Sequence, residues 1–146
     1  MISLFGVLRR RFVVVTVRGT SMRPAYDDGD QVLVRRDLAP ARGRVVVVER
    51  PSVDRVGWRA APVPTAAGRA MISGREWLIK RVAAAPGDPV PRDRVPALAH
   101  VPEDRIPPGR LVLLGDNVDV SFDSRLVGYF PAERVLGTVL RPLPRR

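Results

Sequence analysis

The chain has 146 residues, 45% of them apolar, and a net charge of +10. That is enough for one domain with a real core, and it excludes a disordered or low-complexity chain. With no cysteine and one histidine, His100, the chain has no disulfide framework or thiolate nucleophile, and no Ser-His-Asp triad or two-histidine metal site is expected.

In chain order, residues 1–8 are apolar and run into Arg9-Arg10-Arg11. This pairing of a short apolar insert with a basic cluster predicts docking on an anionic membrane surface. The alternative is that the segment pads the first strand of the core. Neither it nor 12–17 approaches the about 20 apolar residues of a spanning helix. The charges follow the apolar run, the reverse of a secretory signal. Residues 1–11 are therefore read as an N-terminal segment and 12–146 as a single domain.

Phe12-Val13-Val14-Val15-Thr16-Val17 predicts a strand, which the Gly and Pro of 19–24 interrupt. Asp27-Asp28-Gly29-Asp30 is a turn, and 31–34 the next strand. A turn at 40–43 precedes the β-branched strand 45–48. Residues 51–74, rich in Pro, Ala, Gly and Arg without a period, read as a variable excursion carrying a β-hairpin. Further strands are predicted at 76–82, 111–114 and 135–140. Between them lie a turn at 85–88, a Pro-punctuated loop at 89–108 and a structured loop at 115–123. Short strands bounded by Gly and Pro predict a mostly β fold, folded antiparallel sheets or a small barrel.

Of the 25 basic residues, 24 are arginine. The exception is Lys80, inside Trp77-Leu78-Ile79-Lys80-Arg81-Val82. Arginine stays protonated at any usable pH, whereas a desolvated lysine can be pushed down to act as a base. So basic a chain predicts an anionic partner. Aromatic residues are scattered at 5% and no helix-turn-helix pattern is present, so nucleic acid is not expected. A membrane surface fits better, with a merely solubilising arginine surface as the plain alternative.

Three patches carry chemistry. Gly19-Thr20-Ser21-Met22-Arg23-Pro24 puts a serine in a tight turn after a strand, where backbone N–H groups can form an oxyanion hole. Lys80 is the second. Gly115-Asp116-Asn117, followed by Ser121-Phe122-Asp123-Ser124-Arg125, is the third. A serine hydroxyl needs a base to attack a peptide carbonyl at neutral pH. Without a usable histidine the sole lysine is the leading candidate. Ser121 is a second hydroxyl able to orient its ammonium without adding charge. No metal or other cofactor is expected.

The order and spelling of these patches resemble the S26 peptidases, the signal peptidase I family of serine–lysine proteases. The likeness runs from Gly19 to about Thr138, leaving 51–74 unmatched. Its four stretches are the serine turn, Asp28-Gly29-Asp30-Gln31-Val32-Leu33-Val34, Lys80-Arg81-Val82-Ala83-Ala84-Ala85-Pro86-Gly87-Asp88, and Gly115 through Arg125 with Gly128. The resemblance implies Ser21 as nucleophile, Lys80 as general base and Ser121 as the lysine-orienting hydroxyl. It implies that Asp123 and Arg125 brace their loop, that Asp116 pairs with Arg81, and that the Ser21 N–H serves the oxyanion hole. Gly19 stands where some members carry a serine that assists the oxyanion. Met22 and Ile79 are expected to line a shallow apolar pocket for the residue before the cut.

Three departures accompany the likeness. No transmembrane anchor is evident before the serine turn, Ala25-Tyr26 replaces a more usual Thr-Leu, and the stretch between Val48 and Lys80 is short. The expectation is a minimal catalytic domain. Its function would be that of a serine endopeptidase removing signal or leader peptides after small residues. It would be associated with the plasma membrane at its outer face, or exist in a soluble cytoplasmic form. The alternatives are a dedicated maturation protease, as in the family branch that trims nickel superoxide dismutase, and a non-catalytic basic β-domain binding membrane or nucleic acid. A degenerate binding domain has no reason to keep both Ser21 and Lys80.

Overall fold

The computed structural model describes residues 2–8, 11–52 and 57–145, with backbone alone over 2–8. Eight strands form one antiparallel sheet: β1 (Ile2–Leu8), β2 (Phe12–Val17), β3 (Gln31–Arg35), β4 (Val45–Glu49), β5 (Trp77–Ala84), β6 (Arg110–Leu114), β7 (Phe130–Pro131) and β8 (Val135–Pro142). Their order is β1-β2-β3-β8-β4-β5-β6-β7, so the last strand inserts between β3 and β4. Contacts between β1 and β5 curl the sheet back on itself as a half-barrel. The mostly β expectation holds, and each predicted strand is present.

Why β4 reads as an unbroken valine run becomes clear from its packing. Val45 and Val47 enter one core cluster with Val13, Val15, Val32 and Ile79, while Val46 and Val48 enter a second with Leu78, Val82, Leu113 and Phe130. Side chains alternate across a strand, so a strand buried on both faces needs apolar residues throughout. β5 is buried in the same way, with Trp77 and Ile79 on one side and Leu78 and Val82 on the other.

Two sequence expectations change. The hairpin expected in 51–74 is not formed by the described residues, which instead run irregularly into a short helix, α1 (Arg69–Ser73). Its single buried side chain, Ile72, enters the core, and the Trp77 indole donates to the Ile72 carbonyl at 2.8 Å. Arg36 secures the stretch before it by donating to Pro64 and Ala67 carbonyls at 2.6 and 2.7 Å. The Pro-punctuated loop expected at 89–108 is present, and it is packed. Val90, Val95, Leu98 and Ile106 form a third cluster with Ala84, Val112 and Leu114, so the spaced apolar residues between prolines were core signals.

The second change concerns residues 2–8. They form β1, paired with β2 from Ile2 opposite Val17 to Leu8 opposite Phe12, which is the padding alternative. Arg9 and Arg10, central to the docking expectation, lie outside the described residues. Because β1 covers the β2 edge and contacts β5 and α1, deleting residues 2–8 is expected to lower the melting temperature by about 5 °C or more. An unchanged thermal midpoint would mean that β1 contributes nothing to the sheet.

Candidate active site

The strand ladder delivers the lysine. In the β4–β5 register Lys80 lies opposite Val46, and Leu78 opposite Val48. Lys80 therefore occupies one place in a row of otherwise apolar side chains, and it is only 2% exposed. Burial is the main force on its amine and lowers it from 10.5 to about 8. The Asp123 carboxylate pulls it back up, and the guanidiniums of Arg125 and Arg50 push it further down.

Asp123 organises the loop beneath. Its fully buried carboxylate accepts from the Gly115 N–H at 2.8 Å and the Ser121 hydroxyl at 2.6 Å. It also accepts from the Arg125 N–H and Nε at 3.0 Å each and from Arg125 Nη2 at 2.5 Å. Burial pushes this carboxyl up, but the bonds from Arg125, Ser121 and the backbone outweigh it and leave it below its ordinary value. Arg125 Nη2 further binds the Gly115 carbonyl at 3.0 Å. Asp123 also caps the short helix α2 (Ser124–Val127), whose Ser124 hydroxyl accepts from the Leu113 N–H at 2.9 Å.

The serine turn is tied to this loop across most of the chain. Asn117 donates its N–H to the Ser21 carbonyl at 2.9 Å and its amide to the Thr20 carbonyl at 3.0 Å, a contact between residues 97 apart in sequence. Arg81 clamps Asp116 through both carboxylate oxygens at 2.9 and 2.8 Å. Gly115 is required by the closeness of this packing. A Cβ there would collide with Ser121 Oγ and stand 2.9 Å from the Ser21 carbonyl oxygen. Gly19 enters the turn at φ +83°, a conformation that costs a side-chain-bearing residue, and its N–H donates to Asp28 at 2.7 Å. Among the described residues, none accepts from the Ser21 N–H.

Ser21 and Lys80 line one cavity of about 330 Å³, with Arg18, Gly19, Arg50, Leu78, Val120 and Phe122 as its other walls. Ser121, Asp123 and Arg125 form one hydrogen-bonded group whose two charges act on Lys80, and Asp116 pairs with Arg81 next to Asn117, which binds the serine turn. Met22 and Ile79, expected in a substrate pocket, are wholly enclosed in the core and do not line this cavity. Adjacent residues on a strand face opposite ways, so Ile79 must point away wherever Lys80 points in. The same alternation puts Leu78 on the cavity side, a signal present in the sequence. Arg50, Val120 and Phe122 were missed because only the strand pairing and the loop fold bring them there. His100 is exposed on a distant loop.

The family model for signal peptidase, peptidase S26, matches residues 1–96 and 92–143. The chain belongs to the S26 signal peptidase family. A probable signal peptidase I-1 of Synechocystis sp. is similar to it, 28% identical over 164 residues that take in 96% of this chain and 76% of the relative. This S26 chain is a serine-type peptidase of the signal peptidase kind, which sets aside the non-catalytic alternative. No helix among the described residues is long and apolar enough to cross a membrane.

Asp123→Asn tests how the S26 chain braces its loop. Removing one member of a buried, hydrogen-bonded ion pair is expected to cost about 3 kcal/mol, read as a lower urea midpoint. Loss of the carboxylate should also lower the Lys80 amine further, because Asp123 pulls it up. Unchanged stability would remove Asp123 from the account.

Proposed function

We propose that Ser21 and Lys80 form a catalytic dyad, and that the enzyme removes signal or leader peptides after small residues at an anionic membrane surface. The observation that carries this reading is the shared cavity: the chain's only lysine, buried and lowered to about 8, faces the same space as a serine in a tight turn.

In this mechanism the neutral Lys80 amine takes the Ser21 hydroxyl proton as Oγ attacks the scissile carbonyl. The Ser21 N–H, which no described residue accepts from, meets the developing oxyanion. Lys80 then returns the proton to the departing amine as the peptide bond breaks, leaving an acyl-serine. A water that gives its proton to the same amine attacks the acyl carbonyl, and Ser21 leaves with the returned proton. Asp123 offsets the transient ammonium by its charge. Ser121 commits its proton to Asp123, which leaves its oxygen lone pairs to orient that ammonium.

Apolar wall is limited to Leu78, Val120 and Phe122, in keeping with a small side chain before the cut. The membrane part of the reading is supported by the +10 charge and by Val118 and Val120, which are 64% and 55% exposed on the loop that also lines the cavity.

Ser21→Ala and Lys80→Arg should each lower cleavage of an alanine-containing leader peptide by about a thousandfold or more while the melting temperature survives. Wild-type kcat/KM should rise with pH through about 8, as the amine of Lys80 loses its proton. Anionic vesicles should accelerate cleavage of a vesicle-anchored leader in a salt-sensitive way. Full activity in Lys80→Arg contradicts the dyad, and indifference to lipid charge contradicts the membrane part.

A further inference from the structure

The cavity holds a guanidinium, that of Arg50, which takes no part in the proton transfers of the dyad. Arg50 follows β4 directly, and its N–H donates to the Glu76 carbonyl at 2.8 Å, extending the ladder in which Val46 faces Lys80 and Val48 faces Leu78. Residues two apart on a strand share a face, so Arg50 is delivered to the side of the sheet that carries Lys80. Its acidic neighbour Glu49 goes to the other side, where Arg75 and Arg134 hold its two carboxylate oxygens at 2.8 and 3.1 Å. The chain thus separates Arg50 from the carboxylate next to it.

What Arg50 does touch is the face of Phe122, with its guanidinium carbon 5.1 Å from the ring centroid. Its Nε is buried without a hydrogen-bond partner. Among the described residues no carboxylate forms an ion pair with it. The cavity lining contains Arg50, Arg18 and Lys80 and no acidic residue. Arg50 is also a wall of a second cavity, of about 490 Å³, lined by Trp58 and Glu76 and by Glu49 with its partner Arg75 among others. It is a wall of both spaces, and the first of them is the one that Ser21 lines. A guanidinium stacked on an aromatic ring keeps its in-plane donors available, and their fork fits a carboxylate.

We propose that Arg50 reads the substrate, binding the side-chain carboxylate of an aspartate or glutamate that flanks the scissile bond. This rests on the proposal that Ser21 and Lys80 cut in the shared cavity, and it gives the enzyme a selectivity beyond the small residue at the cut.

The test uses end-blocked peptides, so that the side chain is the only carboxylate, with the small residue kept and Glu or Gln placed in turn at each position around the cut. At one position the wild type should favour Glu by about tenfold or more in kcat/KM. Arg50→Gln should bring that ratio close to one, and Arg50→Glu should favour Lys over Gln at the same position. The ratio is internal to each variant, so a general loss of stability or positioning, as expected were Arg50 only a prop for Phe122, leaves it unchanged. A wild-type ratio near one at every position overturns the proposal, whether or not the variants fold. A Glu preference that survives in Arg50→Gln overturns it as well. Failure of the dyad would show separately, as cleavage by Ser21→Ala.

Discussion

An ammonium sealed from water is held at a cost, and the site is arranged around that cost. Lys80 takes a place in a row of apolar side chains between two core clusters. Nothing on the strand itself could pair with it. The amine therefore gives up its proton far more easily than an exposed lysine, and the charge of Asp123 limits how far that goes. Were Asp123 free to act alone, it would stabilise the ammonium and spoil the base. Its carboxylate is instead saturated by Arg125, Ser121 and two backbone N–H groups. The same linkage makes the native state bind fewer protons than the unfolded chain between about 8 and the ordinary 10.5. The stability cost of burying this lysine is thus greatest below about 8 and is relieved as pH rises through that window.

The fold supplies what one buried amine requires. A strand covered on both faces is rigid and dry, and β5 lies between β4 and β6 with apolar residues on each side. The serine comes from elsewhere, a turn after β2 that has no strand contact with β5. Asn117 and the close fit at Gly115 join the two, so the loop that buffers Lys80 is also the one that positions Ser21. A single segment, 115–125, acts on the charge of Lys80 and is bonded to the turn that carries Ser21.

Much of this was legible in the chain. The β-branched runs gave the central strands, and one lysine among arginines inside an apolar run pointed to a buried amine before any pairing was known. The four motif stretches carried the family. What was not legible depends on pairing across distance. Residues 2–8 are apolar whether they meet a bilayer or pair with β2, and only the ladder decides. Ile79 was assigned to the pocket by its nearness to Lys80 in sequence, although strand alternation alone turns it away. Arg50 looked like one more surface arginine, because its place beside Phe122 and Lys80 is set by the β4–β5 register. The helix in 69–73 has one buried residue, Ile72, too weak a period to read.

The central claim is that the Lys80 amine loses its proton at about 8, well below an ordinary lysine, and this chain permits an unusually direct test. With one lysine in the sequence, selective isotope labelling of lysine yields a single side-chain resonance, whose NMR titration belongs to Lys80 without assignment. The account predicts a midpoint of about 8 in the folded protein, moving to the ordinary lysine value on unfolding in urea. A folded-state midpoint at the ordinary 10.5 would contradict it.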